Sequence, residues 1–176
     1  MAETGSTFWE NATLKLQACL ETSLPQEVDF AIAEDSGLVI DALDGFPGIR
    51  SDRWTYADKN QGILELMTGQ TNRNARYEAC LACWSKTTGL ISHYTGTVEL
   101  KVAEAPQGEN GFGYDPIMIP AALDTTRTMA QLSPEEKNRI SHRFNALSRF
   151  WTANAPAKPI ASDYCASPGH DPDDIG

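Results

Sequence analysis

A chain of 176 residues with a formal charge of −10 and a pI near 4.6 is long enough to close one hydrophobic core without disulfide staples. No stretch gathers its 14 Lys and Arg residues into a basic stripe, which excludes a nucleic-acid polymer as partner, and Asp163, Asp171, Asp173 and Asp174 place much of the negative charge near the C-terminus. No apolar run approaches the roughly 18 residues of a membrane span, and the first twenty residues carry Glu3, Glu10 and Lys15 and no apolar core segment, so a soluble, cytoplasmic protein is expected.

TFWENATLKLQACLE opens with Thr7 and, three residues later, Glu10, the spacing of a capping box. Ala12, Leu16, Cys19 and Leu20 then recur at helical spacing, which predicts a helix over 8–21. Val28 to Ala33 predicts a strand ending at two adjacent carboxylates, Glu34 and Asp35, with Val39 and Ile40 resuming after an EDSG corner. DGFPGIRSDR, from Asp44 to Arg53, has the Gly and Pro density of a fixed turn, and Asn60 to Met67 predicts a second helix. Two or three strands follow, over 75–84 and 90–103, the second broken near Thr95-Gly96.

Cys80 and Cys83 form a CxxC, but a strand period sets them on opposite faces, and neither Cys19 nor Cys165 completes a zinc set; they read as small core residues. The glycine-rich GENGFGYDP comes next, then an apolar strand, IMIP. SPEEKNRISHRFNALSRFW has Ser133 as cap, Pro134 at the first helical position and Glu136 three residues after the cap. Beyond Trp151 the composition is rich in Pro, Ser and Asp without periodicity, which predicts a domain over 1–152 and a disordered tail over 153–176.

Three stretches invite a chemical reading. Alternation from Phe30 and Ile32 puts Glu34 on the bulky face of the first strand, whereas Asp35 shares a face with Ala31 and Ala33, whose small side chains leave room for a ligand. A carboxylate at the end of a sheet strand suits a hard cation, yet Asp, Ser and Gly also make turns, and spacing alone leaves the two readings level. In GENGFGYDP, Gly108, Gly111 and Gly113 permit close approach, Phe112 and Tyr114 offer flat faces and Asp115 an acceptor; a bare hairpin loop explains only the glycines. On one unbroken helix Lys137, His142 and Arg143 point to different sides, so a shared ligand requires a break near Ile140, with Ser141 capping a second helix.

Together and in this order, TFWENATLK, AIAEDSGLVIDALDGFPGIRS, GENGFGYDP and SPEEKNRISHR resemble the inosine triphosphate pyrophosphatase (Ham1-like) family, from Glu3 to Trp151. The resemblance implies an α/β fold: a mixed central sheet flanked by helices, a smaller antiparallel lobe and a nucleotide cleft between them. It implies Mg²⁺-dependent hydrolysis of ITP, dITP and XTP to the monophosphate and pyrophosphate, by a homodimer. By the same likeness Asp35 is the metal-binding carboxylate and base, and Glu3 the second metal carboxylate. Lys15 contacts phosphate and Ser36 the substrate. Phe112 stacks on the purine with Gly113, Tyr114 and Asp115 beside it, and Lys137, His142 and Arg143 grip the nucleotide and read its 6-oxo group.

Two departures are visible. Bacterial members usually carry Asp-Asp where this chain has Glu34-Asp35, and the family usually begins with a strand and a Ser/Thr-x-Asn-x-x-Lys loop that precede anything matched by MAETG. Lack of that phosphate loop supports a second expectation, a nucleotide-binding remnant without catalysis.

Overall fold

The computed structural model describes residues 3–123 and 126–155; the tail expected beyond them lies outside the described residues. Among the described residues, four α-helices and four strands follow in the order α1 (Phe8–Leu20), β1 (Phe30–Ile40), α2 (Lys59–Leu66), β2 (Asn74–Ser85), β3 (Ile91–Val102), β4 (Met118–Pro120), α3 (Pro134–Asn138) and α4 (His142–Asn154), with short 3-10 turns between them. The α/β class stands, and the strands form one sheet in the order β1-β2-β3-β4. All three pairings are antiparallel, and β1 and β2 run together from Phe30 opposite Ser85 to Ile40 opposite Ala75. The strands assigned to a mixed sheet and a separate lobe therefore share one antiparallel sheet, because the long strands pair over their whole lengths.

Two local expectations change for the same physical reason. EDSG is not a corner: Asp35, Ser36 and Gly37 stay in β1, opposite Cys80, Ala79 and Glu78. Gly37 serves close approach instead, since a Cβ there would lie 2.4 Å from the Gly48 carbonyl oxygen and 2.5 Å from Ser51 Oγ. Gly96 likewise pairs with Ala79 inside an unbroken β3. In both cases a neighbouring segment presses on the strand, and a glycine with that duty resembles a breaker in sequence.

Alternation along β1 and β2 distributes the core. Phe8, Ala12 and Leu16 of α1 pack on Ala31, Val39, Cys80 and Ala82 at one face. Ala79, Leu81 and Cys83 meet Ala146 and Phe150 of α4 at the other, with Phe30 packed against them. Cys80 and Cys83 thus fall on opposite faces as expected, and burial raises both thiols to about 11, which leaves them inert. Beyond Leu38 and Ile40 a third cluster closes α2, β4 and Met129 around Ile117 and Met118. The bulky face of β1 is only partly core, since Ile32 is 40% exposed.

The break that a shared ligand would require in the last helical stretch is present. Ser133 and Glu136 form a capping box at α3, which stops at Asn138, and the Ser141 side chain accepts the Phe144 N–H to start α4. No helix among the described residues is long and apolar enough to cross a membrane.

Candidate functional site

Successive residues of a strand project to opposite faces, so Glu34, Asp35 and Ser36 divide the candidate site between the two sides of β1. Asp35 is 6% exposed on the α1 side, and a carboxylate at that depth needs partners. Lys15 Nζ lies 2.7 Å from its Oδ1, and Asn11 Nδ2 donates to its Oδ2 at 3.2 Å. Asn11 and Lys15 stand one helical turn apart, so the helix that buries Phe8, Ala12 and Leu16 brings both to the same acid. Asn11 is fully buried and its Oδ1 accepts the Gly5 N–H at 2.9 Å.

Lys15 Nζ also lies 2.6 Å from Glu3 Oε1 and donates to the Glu34 carbonyl oxygen at 3.2 Å, while Arg53 Nε sits 3.3 Å from Glu3 Oε2. Burial opposes the charge on Lys15, but its bonds to Asp35 and Glu3 outweigh that and raise its pKa. The Lys15 hydrogen bond in turn holds Glu3 below the usual carboxylate range. One ammonium therefore stands between two acids.

That arrangement fits a divalent cation. Oxygens of Glu3 and Asp35 already converge on a single positive centre, and a hard ion such as Mg²⁺ takes one or two carboxylates and completes its shell with phosphate oxygens and water. Among the described residues no group of three or more His, Cys, Asp or Glu converges, so Glu3 and Asp35 are the carboxylates on hand for such an ion.

On the other face, a cleft of about 330 Å³ opens between α3, the first turn of α4 and the 108–115 loop. It gathers Ser36, Phe112, Gly113, Tyr114, Asp115, Lys137, His142 and Arg143; Glu3, Lys15 and Asp35 do not line it. A larger, shallower depression of about 700 Å³ beside Trp9 and Arg50 contains none of the expected site residues, so chemistry favours the smaller one.

Asp115 is the anchor of the cleft. It is 3% exposed and receives the Tyr77 hydroxyl at 3.1 Å, the Phe112 N–H at 3.1 Å and Lys137 Nζ at 2.5 Å. Those bonds make it the support of the wall. Burial and then the Asp115 charge raise Tyr77 well above the ordinary phenol range, which keeps its hydroxyl a donor. Gly111 has φ +88°, and a Cβ there would meet Asp115 Oδ2 at 2.2 Å and Lys137 Nζ at 2.6 Å, so the ion pair itself demands the glycine. Phe112 is left 69% exposed, with Lys137 Nζ 5.5 Å from its ring centroid. Asn60 Nδ2 donates to the Gly113 carbonyl oxygen at 3.1 Å and the Tyr114 hydroxyl to that of Ser51 at 3.0 Å, which fixes the loop from below.

His142 and Arg143 occupy the first turn of α4. Burial, then the Arg143 charge, lowers His142 to about 4, so its imidazole is neutral at pH 7. Arg143 Nε binds both oxygens of Glu34, at 2.9 and 3.0 Å, and Nη2 donates to Ser36 Oγ at 3.2 Å.

Site residues the sequence reading passed over are Asn11, Tyr77, Asn60 and Lys59, the last lining the cleft with its Nζ donating to the Ser51 carbonyl oxygen at 3.1 Å. Asn11 carried a signal, its helical spacing from Lys15. Tyr77 carried none, because only strand pairing and the fold of the 108–115 loop bring it to Asp115.

The Ham1 family model matches residues 1–153. A dITP/XTP pyrophosphatase of an Exiguobacterium species is 43% identical over 153 residues, covering 84% of this chain and 74% of that protein. A dITP/XTP pyrophosphatase of Geobacillus kaustophilus is 44% identical over 158 residues, covering 85% and 73%. Among solved structures, the Staphylococcus aureus Ham1 protein superposes with a TM-score of 0.75 at 39% identity, covering 86% of this chain and 78% of that one. A HAM1 protein from Coxiella burnetii gives 0.73 at 37%, covering 87% and 79%.

Proposed function

Because the chain belongs to the Ham1 family, we propose that it is a nucleoside triphosphate pyrophosphohydrolase, cleaving ITP, dITP and XTP between the α and β phosphates. One observation carries the reading: three consecutive residues of β1 serve an acid-and-ammonium cluster on one side and an aromatic, cationic cleft on the other. Relatives carrying that name are dITP/XTP pyrophosphatases, which supports the substrate class.

In this reading the purine rests on Phe112, whose exposed ring is held by the Asp115 anchor. Lys137 and Arg143 carry only donors, so a 6-oxo acceptor is matched there while the 6-amino group of adenine meets no acceptor on either side chain. The phosphates reach Lys15, whose raised pKa keeps it cationic at neutral pH. Asp35 orients the attacking water and takes its proton, with Asn11 fixing the carboxylate plane. Mg²⁺ held by Glu3 and Asp35 supplies charge neutralisation on the phosphate oxygens when bound. A homodimer in the cytoplasm completes the proposal on family likeness, and sedimentation of the purified chain checks the dimer.

The test is direct: with Mg²⁺, the purified chain releases pyrophosphate and IMP from ITP, and far less from ATP. Binding of ITP without any release of pyrophosphate would replace this reading with that of a nucleotide-binding remnant.

A further inference from the structure

Glu34 and Asp35 are adjacent acids, and the structure separates their roles. The Asp35 carboxylate lies on the α1 face with Lys15 and Asn11. Glu34 gives that cluster only its backbone carbonyl oxygen, accepting from Lys15 at 3.2 Å, and turns its carboxylate to the cleft face. It is therefore not placed to share a cation with Asp35 and Glu3.

Resting on the reading that the cleft takes an oxo-purine nucleotide, we propose that Glu34 is a positioning residue that presets the Arg143 guanidinium for the substrate. Both carboxylate oxygens bind Nε, at 2.9 and 3.0 Å, and Ser36 Oγ takes Nη2 at 3.2 Å. Those contacts fix the plane of the guanidinium from its Nε edge. Among the described residues Nη1 has no protein acceptor within hydrogen-bond distance, and Arg143 lines the cleft, so the free edge is the one a ligand meets.

A simple contribution to stability explains the pair poorly. The side chains are 28% and 46% exposed, and ion pairs that open to water add little to folding. A long side chain held in advance, by contrast, does not have to be immobilised when the ligand arrives, and the ordering of one such chain weakens binding by about three- to tenfold. Without Glu34, Arg143 at the exposed start of α4 loses the partner of its Nε. The acid acts on the substrate only through the arginine.

The experiment compares the unmodified chain with Glu34→Gln, Glu34→Asp, Arg143→Ala and the Glu34→Gln/Arg143→Ala pair. ITP binding is measured by calorimetry in EDTA, and kcat and KM in Mg²⁺. Glu34→Gln is expected to weaken ITP binding and raise KM by about three- to tenfold, with kcat and the thermal midpoint unchanged. Glu34→Asp, which keeps the charge, recovers most of the loss, and Glu34→Gln adds nothing once Arg143 is gone. Unchanged or tighter binding by Glu34→Gln overturns the inference, as does a loss that persists in the Arg143→Ala background or a fall in kcat with a raised Mg²⁺ requirement. Glu34-dependent ITP binding without pyrophosphate release would sink the proposed reaction and leave this inference standing; the reverse pattern does the opposite.

Discussion

The backbone carbonyl oxygen of His142 lies 2.2 Å from where a Cβ on Gly96 would be, and the Ala146 nitrogen 2.3 Å from the same point. Helix α4 is thus seated on β3 at a distance only a glycine permits. Gly96→Ala forces the helix outward, since backbone atoms cannot rotate aside. Overpacking of this kind lowers stability by about 1–3 kcal/mol, read from urea unfolding. KM for ITP rises with it, because the displaced turn carries His142 and Arg143. A variant with unchanged stability and KM would show that the helix is not held there.

Asp35→Asn keeps the shape of the side chain and its contact with Asn11 but cannot accept a proton from water. Turnover of ITP falls by roughly 10²- to 10⁴-fold, measured as pyrophosphate release, while binding in EDTA persists. Retained turnover would remove Asp35 as the base.

Lys15→Met leaves the carboxylates of Glu3 and Asp35 without their shared cation. Loss of the charged partner to a nearly buried acid lowers stability by about 1–3 kcal/mol at pH 7. Mg²⁺ then raises the thermal midpoint of the variant by more than that of the unmodified chain, because the ion replaces the ammonium. Equal shifts would argue against Glu3 and Asp35 as its ligands.

His142 has a folded pKa of about 4 against an ordinary value of 6.5. The unfolded chain therefore binds the extra proton first as pH falls. Its share of stability is complete above pH 6.5 and is lost toward pH 4, on the order of 3 kcal/mol in all. His142→Gln flattens the stability profile between those two values; an unchanged slope would place the titration elsewhere.

Phe112 contributes little to the core, being 69% exposed. Phe112→Ala leaves the urea midpoint unchanged and weakens ITP binding by about 5- to 100-fold, the range for loss of one base–aromatic stack. Calorimetry decides it, and undiminished affinity would move the base to another wall.

Much of this architecture is legible in the chain because local chemistry and tertiary demand agree. Thr7, Ser133 and Ser141 are caps in sequence and in structure, and the opposite facing of Cys80 and Cys83 follows from strand period alone. The break before His142 could be stated as a requirement because the cap residue was present. Glycines misled where distant backbone decides: Gly37 and Gly96 look like interruptions, and each instead accommodates a segment far away in sequence. Side-chain partnerships across the sheet, Glu34 with Arg143 and Tyr77 with Asp115, are long-range and leave no periodic trace. The segregation of Asp35 from the cleft was visible in principle, since alternation already set it apart from Glu34 and Ser36.

That segregation bears on turnover. In the proposed reading, a nucleotide whose base lies against Phe112 and whose phosphates meet Lys15 straddles the outermost described strand, gripped from both sides while it is whole. Severing it between the two grips yields two shorter molecules, each left with a single handhold. In the proposed reading the reaction thus divides the grip, leaving the monophosphate on the Phe112 side and pyrophosphate on the Lys15 side.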